Sequence, residues 1–201
     1  AMSFANHDIP VTVVEQNAEA LENGLKRCEA NWERTVASGK LSAEEYAKRR
    51  ALLKGSTDMG AVAQADIVIE AIYEDMGAKK AVFAELDKLA RPDVVLATNT
   101  ATLDVDAIAS AIRRPELVVG MHFFSPANVM RLLEIVRGKK SSYEAIATAM
   151  DVGKRIGKVN VVVGNCDGFV GNRMTGKRAF QLERLLLEGA LPQDIDRAME
   201  T

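Results

Sequence analysis

Short, almost uniformly apolar runs alternate along this chain with longer amphipathic stretches. The β-branched run "IPVTVVEQN" predicts a buried strand over Val11 to Val14. Asn17 can cap the helix that follows, "AEALENGLKRCEANWERTVASG", which ends near Gly39. "LSAEEYAKRRALLKG" opens on Ser42 with Glu45 three residues on, a capping-box pattern, and predicts a second helix to Gly55. These two helices read as a charged hairpin outside the core sheet. The next strand runs from about Asp66 to Ala71, and the amphipathic helix after it is stopped by Pro92. "VVLATNT" is a strand ending in small polar residues, and "LDVDAIASAIRRP" is a helix stopped by Pro115. "LVVGMHFF" and "LLEIVRG" are strands, "SSYEAIATAMDVGKRIGK" is a helix, and "VNVVVGN" is a last strand.

Apolar strands alternating with helices are the pattern of a mostly parallel sheet covered on both faces, the doubly wound α/β class. After Asp167 the pattern is helical with no further strand. The expected division is therefore an α/β domain over 1–166 and the start of an all-helical domain over 167–201.

Composition narrows the partners. Among 201 residues, 48% are hydrophobic and 27% charged, ordinary for a globular chain, and the net charge is −2. That balance argues against nucleic acid or an anionic membrane as the main partner. No apolar run approaches the ~20 residues of a membrane helix. Cys28 and Cys166 match no metal or redox spacing, so no metal site is expected.

Polar residues at strand ends carry the candidate chemistry, because doubly wound sheets bind ligands at the carboxyl edge of their strands. Glu15 ends the first strand. It is either a solvated acid or the acceptor for an adenine-ribose hydroxyl, which would favour NAD over NADP. The Gly-rich turn that should precede such an acid by roughly 20 residues does not fit into the fourteen before Glu15. Both ends of the sequence interrupt elements, so the expectation is a piece of a longer chain that lacks its first strand. Glu74 and Lys79 follow another strand end, either as ligand contacts or as helix-start charges. Asn99 and Thr100 follow a third, unless Thr102 or Asp104 beside them simply caps the next helix.

His122 also lies at a strand end. A neutral imidazole there suits a general base; a packed histidine is the plainer reading. Glu134, the polar member of "RLLEIV", changes the balance. A buried carboxylate needs a partner, and an imidazole would supply one while the carboxylate fixed its tautomer. His7 reads as a surface residue. "GNCDGFVGNRM" reads as an inter-domain hinge from which Asn172 reaches back into the cleft.

Taken together, these residues resemble the L-3-hydroxyacyl-CoA dehydrogenase family, particularly the dehydrogenase part of multifunctional fatty-acid β-oxidation enzymes. The most specific stretches are "GMHFFSPANVMRLLEIVRG" and "VVVGNCDGFVGNRM". The resemblance implies a Rossmann-like domain followed by a helical one that mediates homodimer or intramolecular pseudo-dimer contacts. It implies His122 as base, Glu134 as its partner and Asn172 as the active-site amide. It also implies NAD contacts from Glu15, Glu74, Lys79 and Asn99, an acyl-CoA substrate, and a bacterial cytoplasmic or peroxisomal setting. The chain departs from the family pattern at Ala101, where a serine is usual, and at Asp167, where proline or another uncharged residue is common. The lost serine hydrogen bond would cost about 1–3 kcal/mol of transition-state stabilisation unless Thr100 or Thr102 substitutes. Ala101 and the missing Gly-rich turn together favour one alternative, a non-catalytic NAD- or CoA-binding protein on the same scaffold.

Overall fold

A computed structural model describes residues 1–200. A short helix α1 (Met2–Ala5) leads into strand β1 (Val11–Val14), and helices α2 (Ala18–Ala37) and α3 (Ala43–Leu52) follow. Asn17 caps α2 by accepting from the Glu19 and Ala20 amides, as the sequence suggests. Ser42 caps α3 through the Glu45 amide, but the Glu45 carboxylate turns to Arg49 instead of closing the box.

The second helix does not reach Gly55. It ends at Leu52, and β2 (Leu53–Ser56) pairs in parallel with β1. Four residues of "LKGS" are too short and too polar to announce a strand; the ladder to β1 overrides the helical pattern. The α2–α3 hairpin, expected outside the core sheet, packs on the β1–β2 ladder. Trp32, Leu41 and Leu53 are buried together with Ala5, and Val11 and Val13 of β1 pack against them.

The remaining strands form a second sheet: β3 (Ile67–Glu70), β4 (Val95–Thr98), β5 (Val118–Phe123), β6 (Leu132–Arg137) and β7 (Val159–Gly164), adjacent in that order. Helix α4 (Met76–Leu89) links β3 to β4, and α6 (Tyr143–Arg155) links β6 to β7. Between β4 and β5 the sequence predicts a helix up to Pro115, but α5 spans only Val105–Ala109 before turns and a 3₁₀ segment.

Period-two burial explains the two covered faces. Leu96, Val118 and Val136 point into one cluster with Phe83, Leu86, Val105 and Ile108 of α4 and α5. Their neighbours Val95, Ala97, Val119, Met121, Leu133 and Ile135 point into the other, with Ala145 and Ala149 of α6. All ladders are parallel except β5–β6, which is antiparallel. Apolar content alone cannot distinguish the two directions. At Gly120 the β5–β6 approach leaves no room for a side chain: a Cβ there would lie 2.6 Å from Val136 Cβ.

Past β7, the helices α7 (Gly171–Leu187) and α8 (Pro192–Glu200) carry the chain away from the sheet. The turn before α7 holds Gly168 and Phe169 at φ 66° and 47°. Phe169 accepts a conformation that disfavours a bulky side chain because its ring is fully packed. Among the described residues no helix is long and apolar enough to cross a membrane.

Candidate active site

The antiparallel β5–β6 register sets His122 directly opposite Glu134. Both are buried, at 5% and 1% exposure. His122 Nδ1 lies 2.7 Å from Glu134 Oε2. A carboxylate can only accept, so the ring donates from Nδ1 and keeps the Nε2 lone pair free to take a proton. Phe124 and Phe169 wall the imidazole, with ring centroids 4.5 and 5.6 Å away.

Glu134 does more than orient the ring. Its other oxygen, Oε1, accepts from the backbone N–H of Val170 at 3.0 Å and of Gly171 at 2.8 Å. Helix α7 has no side-chain cap of its own. Glu134, from a neighbouring strand, satisfies amides at its start, where the helix dipole also favours a negative charge. Three hydrogen bonds thus offset the cost of burying this carboxylate. Gly171 leaves the room taken by Phe124, since a Cβ would fall 2.7 Å from Phe124 Cζ and the ring would have to shift.

Asn172 is the next residue of α7. Its Nδ2 donates to the Ala101 carbonyl at 3.3 Å, tying the helix to the segment after β4. That segment is held from its other side by Glu74. The Glu74 Oε1 accepts from the Thr100 hydroxyl at 2.6 Å and from the Ala101 and Thr102 amides at 2.8 and 3.1 Å. Burial alone would push the Glu74 carboxyl up, but these donors and the nearby Lys79 hold it below the ordinary carboxylate range. Asp104, not Thr102, caps α5.

Lys79 is fully buried. Its ammonium lies 2.7 Å from Glu70 and 3.5 Å from Glu74. Glu70 also accepts from the Thr98 hydroxyl and the Ile72 amide. Glu70 is not among the site residues expected from sequence, although its signal is close to that of Glu134: one carboxylate in an apolar strand, here at its end, "IVIE". Asn99 is anchored through its Oδ1, which accepts from the Phe123 amide at 2.9 Å. Glu15 is exposed at the end of β1, on the separate two-stranded ladder. His7 is exposed, with Nδ1 2.8 Å from the Ser3 carbonyl.

The structure therefore brings His122, Glu134 and Asn172 together around the start of α7, and joins Glu74 to the same segment after β4, with Lys79 behind Glu74. Among the described residues no three His, Cys, Asp or Glu side chains group as a metal site. A buried imidazole–carboxylate pair at the carboxyl edge of a doubly wound sheet, the edge where such sheets bind ligands, suits proton transfer to or from a bound molecule.

Comparison with known proteins makes the class specific. Residues 1–166 match the family model described as 3-hydroxyacyl-CoA dehydrogenase, NAD binding domain, and the chain belongs to that family. NAD is the cofactor of this domain. The chain is 50% identical to the peroxisomal bifunctional enzyme of Danio rerio over 205 residues, covering 99% of this chain and 27% of that protein. It superposes on (S)-3-hydroxybutyryl-CoA dehydrogenase PaaH1 from Ralstonia eutropha with a TM-score of 0.96 at 30% identity, covering 99% of this chain and 71% of that one. The dehydrogenase part of multifunctional enzyme 1 from C. elegans gives 0.76 at 34% identity, covering 99% and 46%. The chain spans about a quarter of the length of the curated relatives it matches.

Proposed function

We propose that the protein to which this chain belongs oxidises an L-3-hydroxyacyl-CoA to the 3-ketoacyl-CoA with NAD. The observation that carries this reading is the 2.7 Å His122–Glu134 pair with its Nε2 left to act as base. His122 takes the substrate hydroxyl proton, and Glu134 stabilises the imidazolium that forms. Asn172, fixed to the Ala101 carbonyl, orients the substrate oxygen. Bound NAD would supply the acceptor for the hydride that leaves carbon 3.

The residues present suit the two ends of that cofactor. Glu15, Glu74 and Asn99 lie at the carboxyl ends of β1, β3 and β4, the edge that takes dinucleotides. Glu15 is exposed and able to accept ribose hydroxyls. Asn99 is held beside Phe123, next to the base. Lys79 pairs with both Glu70 and Glu74 at this edge from a buried position. No G-x-G-x-x-G occurs among the 201 residues, so no pyrophosphate contact is assigned.

The division into an NAD-binding domain over 1–166 and a helical domain from 167 is supported by the change from sheet to helix after Gly164. Relatives named as peroxisomal or glyoxysomal β-oxidation enzymes support fatty-acid β-oxidation and a peroxisomal setting. A homodimer or intramolecular pseudo-dimer through the helical domain fits the exposed Met174, Phe180 and Leu187 of α7.

One feature favours the second reading, a binding protein without chemistry. Ala101 offers no hydroxyl, and the Thr100 hydroxyl is buried against Glu74. The deciding experiment is NADH consumption with acetoacetyl-CoA by the full-length protein and its His122→Gln variant. Turnover lost in the variant, with NADH still bound, supports the dehydrogenase. No turnover in the unmodified protein with NADH bound supports the binding protein.

A further inference from the structure

The base and the amide sit on different elements, β5 and α7, and their alignment depends on where the chain turns between β7 and α7. Asn165 stands at that point. Its Nδ2 donates to Asp104 Oδ1 at 2.6 Å and to Asp106 Oδ2 at 2.8 Å. Its Oδ1 accepts from the Val105 amide at 3.2 Å. Both ends of the amide are thus spent on the first turn of α5. That turn is anchored in turn: Asp104 accepts from the Asp106 and Ala107 amides, and Asp106 Oδ1 accepts from the Lys139 amide.

α5 begins directly after the segment whose Ala101 carbonyl holds Asn172. On the other side, Asn165 is followed by the turn through Gly168 and Phe169, whose positive φ values bring Phe169 against His122. The turn then delivers Val170 and Gly171 to Glu134. One amide therefore ties the start of this turn to the helix start that directly follows the Ala101 segment, where Asn172 is received.

We propose that Asn165 is a positioning residue for the active site, fixing the β7–α7 turn so that α7 meets both Glu134 and the Ala101 carbonyl. The proposal rests on the dehydrogenase reading for its kinetic consequence, not for its structural one. Asn165 touches neither His122 nor Asn172; it acts through the turn. A shift of about 1 Å in such a turn is enough to cost about a hundredfold in rate.

The test uses the full-length protein, with Asn165→Ala and Asn165→Asp followed by amide hydrogen exchange and by steady-state kinetics. In Asn165→Ala, exchange at the Val170 and Gly171 amides accelerates by about tenfold or more. The kcat with acetoacetyl-CoA falls about tenfold or more, while the KM for NADH is unchanged. In Asn165→Asp a third carboxylate faces Asp104 and Asp106, with Lys139 as the cation that acts on this cluster. Its kcat relative to the unmodified protein rises as the pH is lowered and the three carboxylates share protons. A general loss of stability does not produce that profile. If Asn165→Ala does not fold, Asn165→Ser takes its place with the same expected exchange.

Unchanged exchange at Val170 and Gly171 in these variants overturns the proposal, whatever the kinetics. Accelerated exchange in a protein with no turnover even when unmodified upholds the anchor and removes the dehydrogenase reading instead.

Discussion

Glu134 stands directly across the β5–β6 ladder from His122, and its two oxygens have separate partners. Oε2 meets the imidazole at 2.7 Å, while Oε1 holds the first amides of α7. A single carboxylate thus sets the tautomer of the imidazole and secures the helix that carries Asn172. The two duties can be separated by substitution.

Glu134→Gln keeps an oxygen for the Val170 and Gly171 amides and turns an amide N–H toward Nδ1. The ring must then accept at Nδ1 and carry its proton on Nε2, which removes the base. By analogy with the wrong-tautomer change in a catalytic triad, kcat falls by about 10³–10⁴ while the melting temperature changes little. Glu134→Ala loses both duties. It leaves the α7 amides unsatisfied and lowers stability by about 3 kcal/mol or more, read by denaturant unfolding. Equal stability loss in the two variants would show that the capping role is wrong.

Ala101→Ser tests what the missing hydroxyl costs. The Ala101 carbonyl is the anchor of Asn172, so the new hydroxyl would be added beside the amide proposed to orient the substrate oxygen. One added hydrogen bond to a developing charge is worth about 1–3 kcal/mol, and kcat/KM rises by about tenfold or more. An unchanged kcat/KM would mean that this segment does not touch the substrate oxygen.

The two clusters, the strand pattern and the His122–Glu134 pairing were legible because each rests on local chemistry: unbroken apolar runs, and a carboxylate that needs a partner. Three features were not. β2 hides in "LKGS", whose strand state comes only from its ladder to β1. The reversal of β6 leaves no trace in composition, yet it alone brings Glu134 opposite His122. The bond from Glu134 to Val170 and Gly171 uses backbone amides, which every residue has, so no side chain announces it. Lys79 was legible as a rim residue, but its burial against Glu70 depends on the packing of α4 on β3.

Gly171→Ala probes the space between α7 and the base. The added methyl would lie 2.7 Å from Phe124 Cζ and 3.7 Å from Glu134 Oε1. Phe124 must give way, and its ring lies 4.5 Å from that of His122. Alanine is otherwise favourable in a helix, so stability falls by only about 1–3 kcal/mol. The effect on kcat is larger than that loss accounts for, about tenfold or more at temperatures where the variant is fully folded. A variant with full kcat would show that Phe124 does not position the imidazole.

Glu74 gives the protein a distinct acid response. Its carboxyl is held below the ordinary range, with burial opposing and the donors from Thr100, Ala101, Thr102 and Lys79 prevailing. A depressed carboxylate contributes stability that is fully present above its unfolded value, about 4.3, and is lost as the pH falls through the lower folded value. Glu74→Gln mimics the protonated side chain at every pH. The variant is therefore less stable than the unmodified protein at pH 7, and the gap in melting temperature closes as the pH is taken below about 4. The gap is modest because the side chain is about one-third exposed, at 36%, and solvent screens it. A gap that stayed constant down to pH 3 would place the role of Glu74 in its shape and hydrogen-bond geometry, not in its charge.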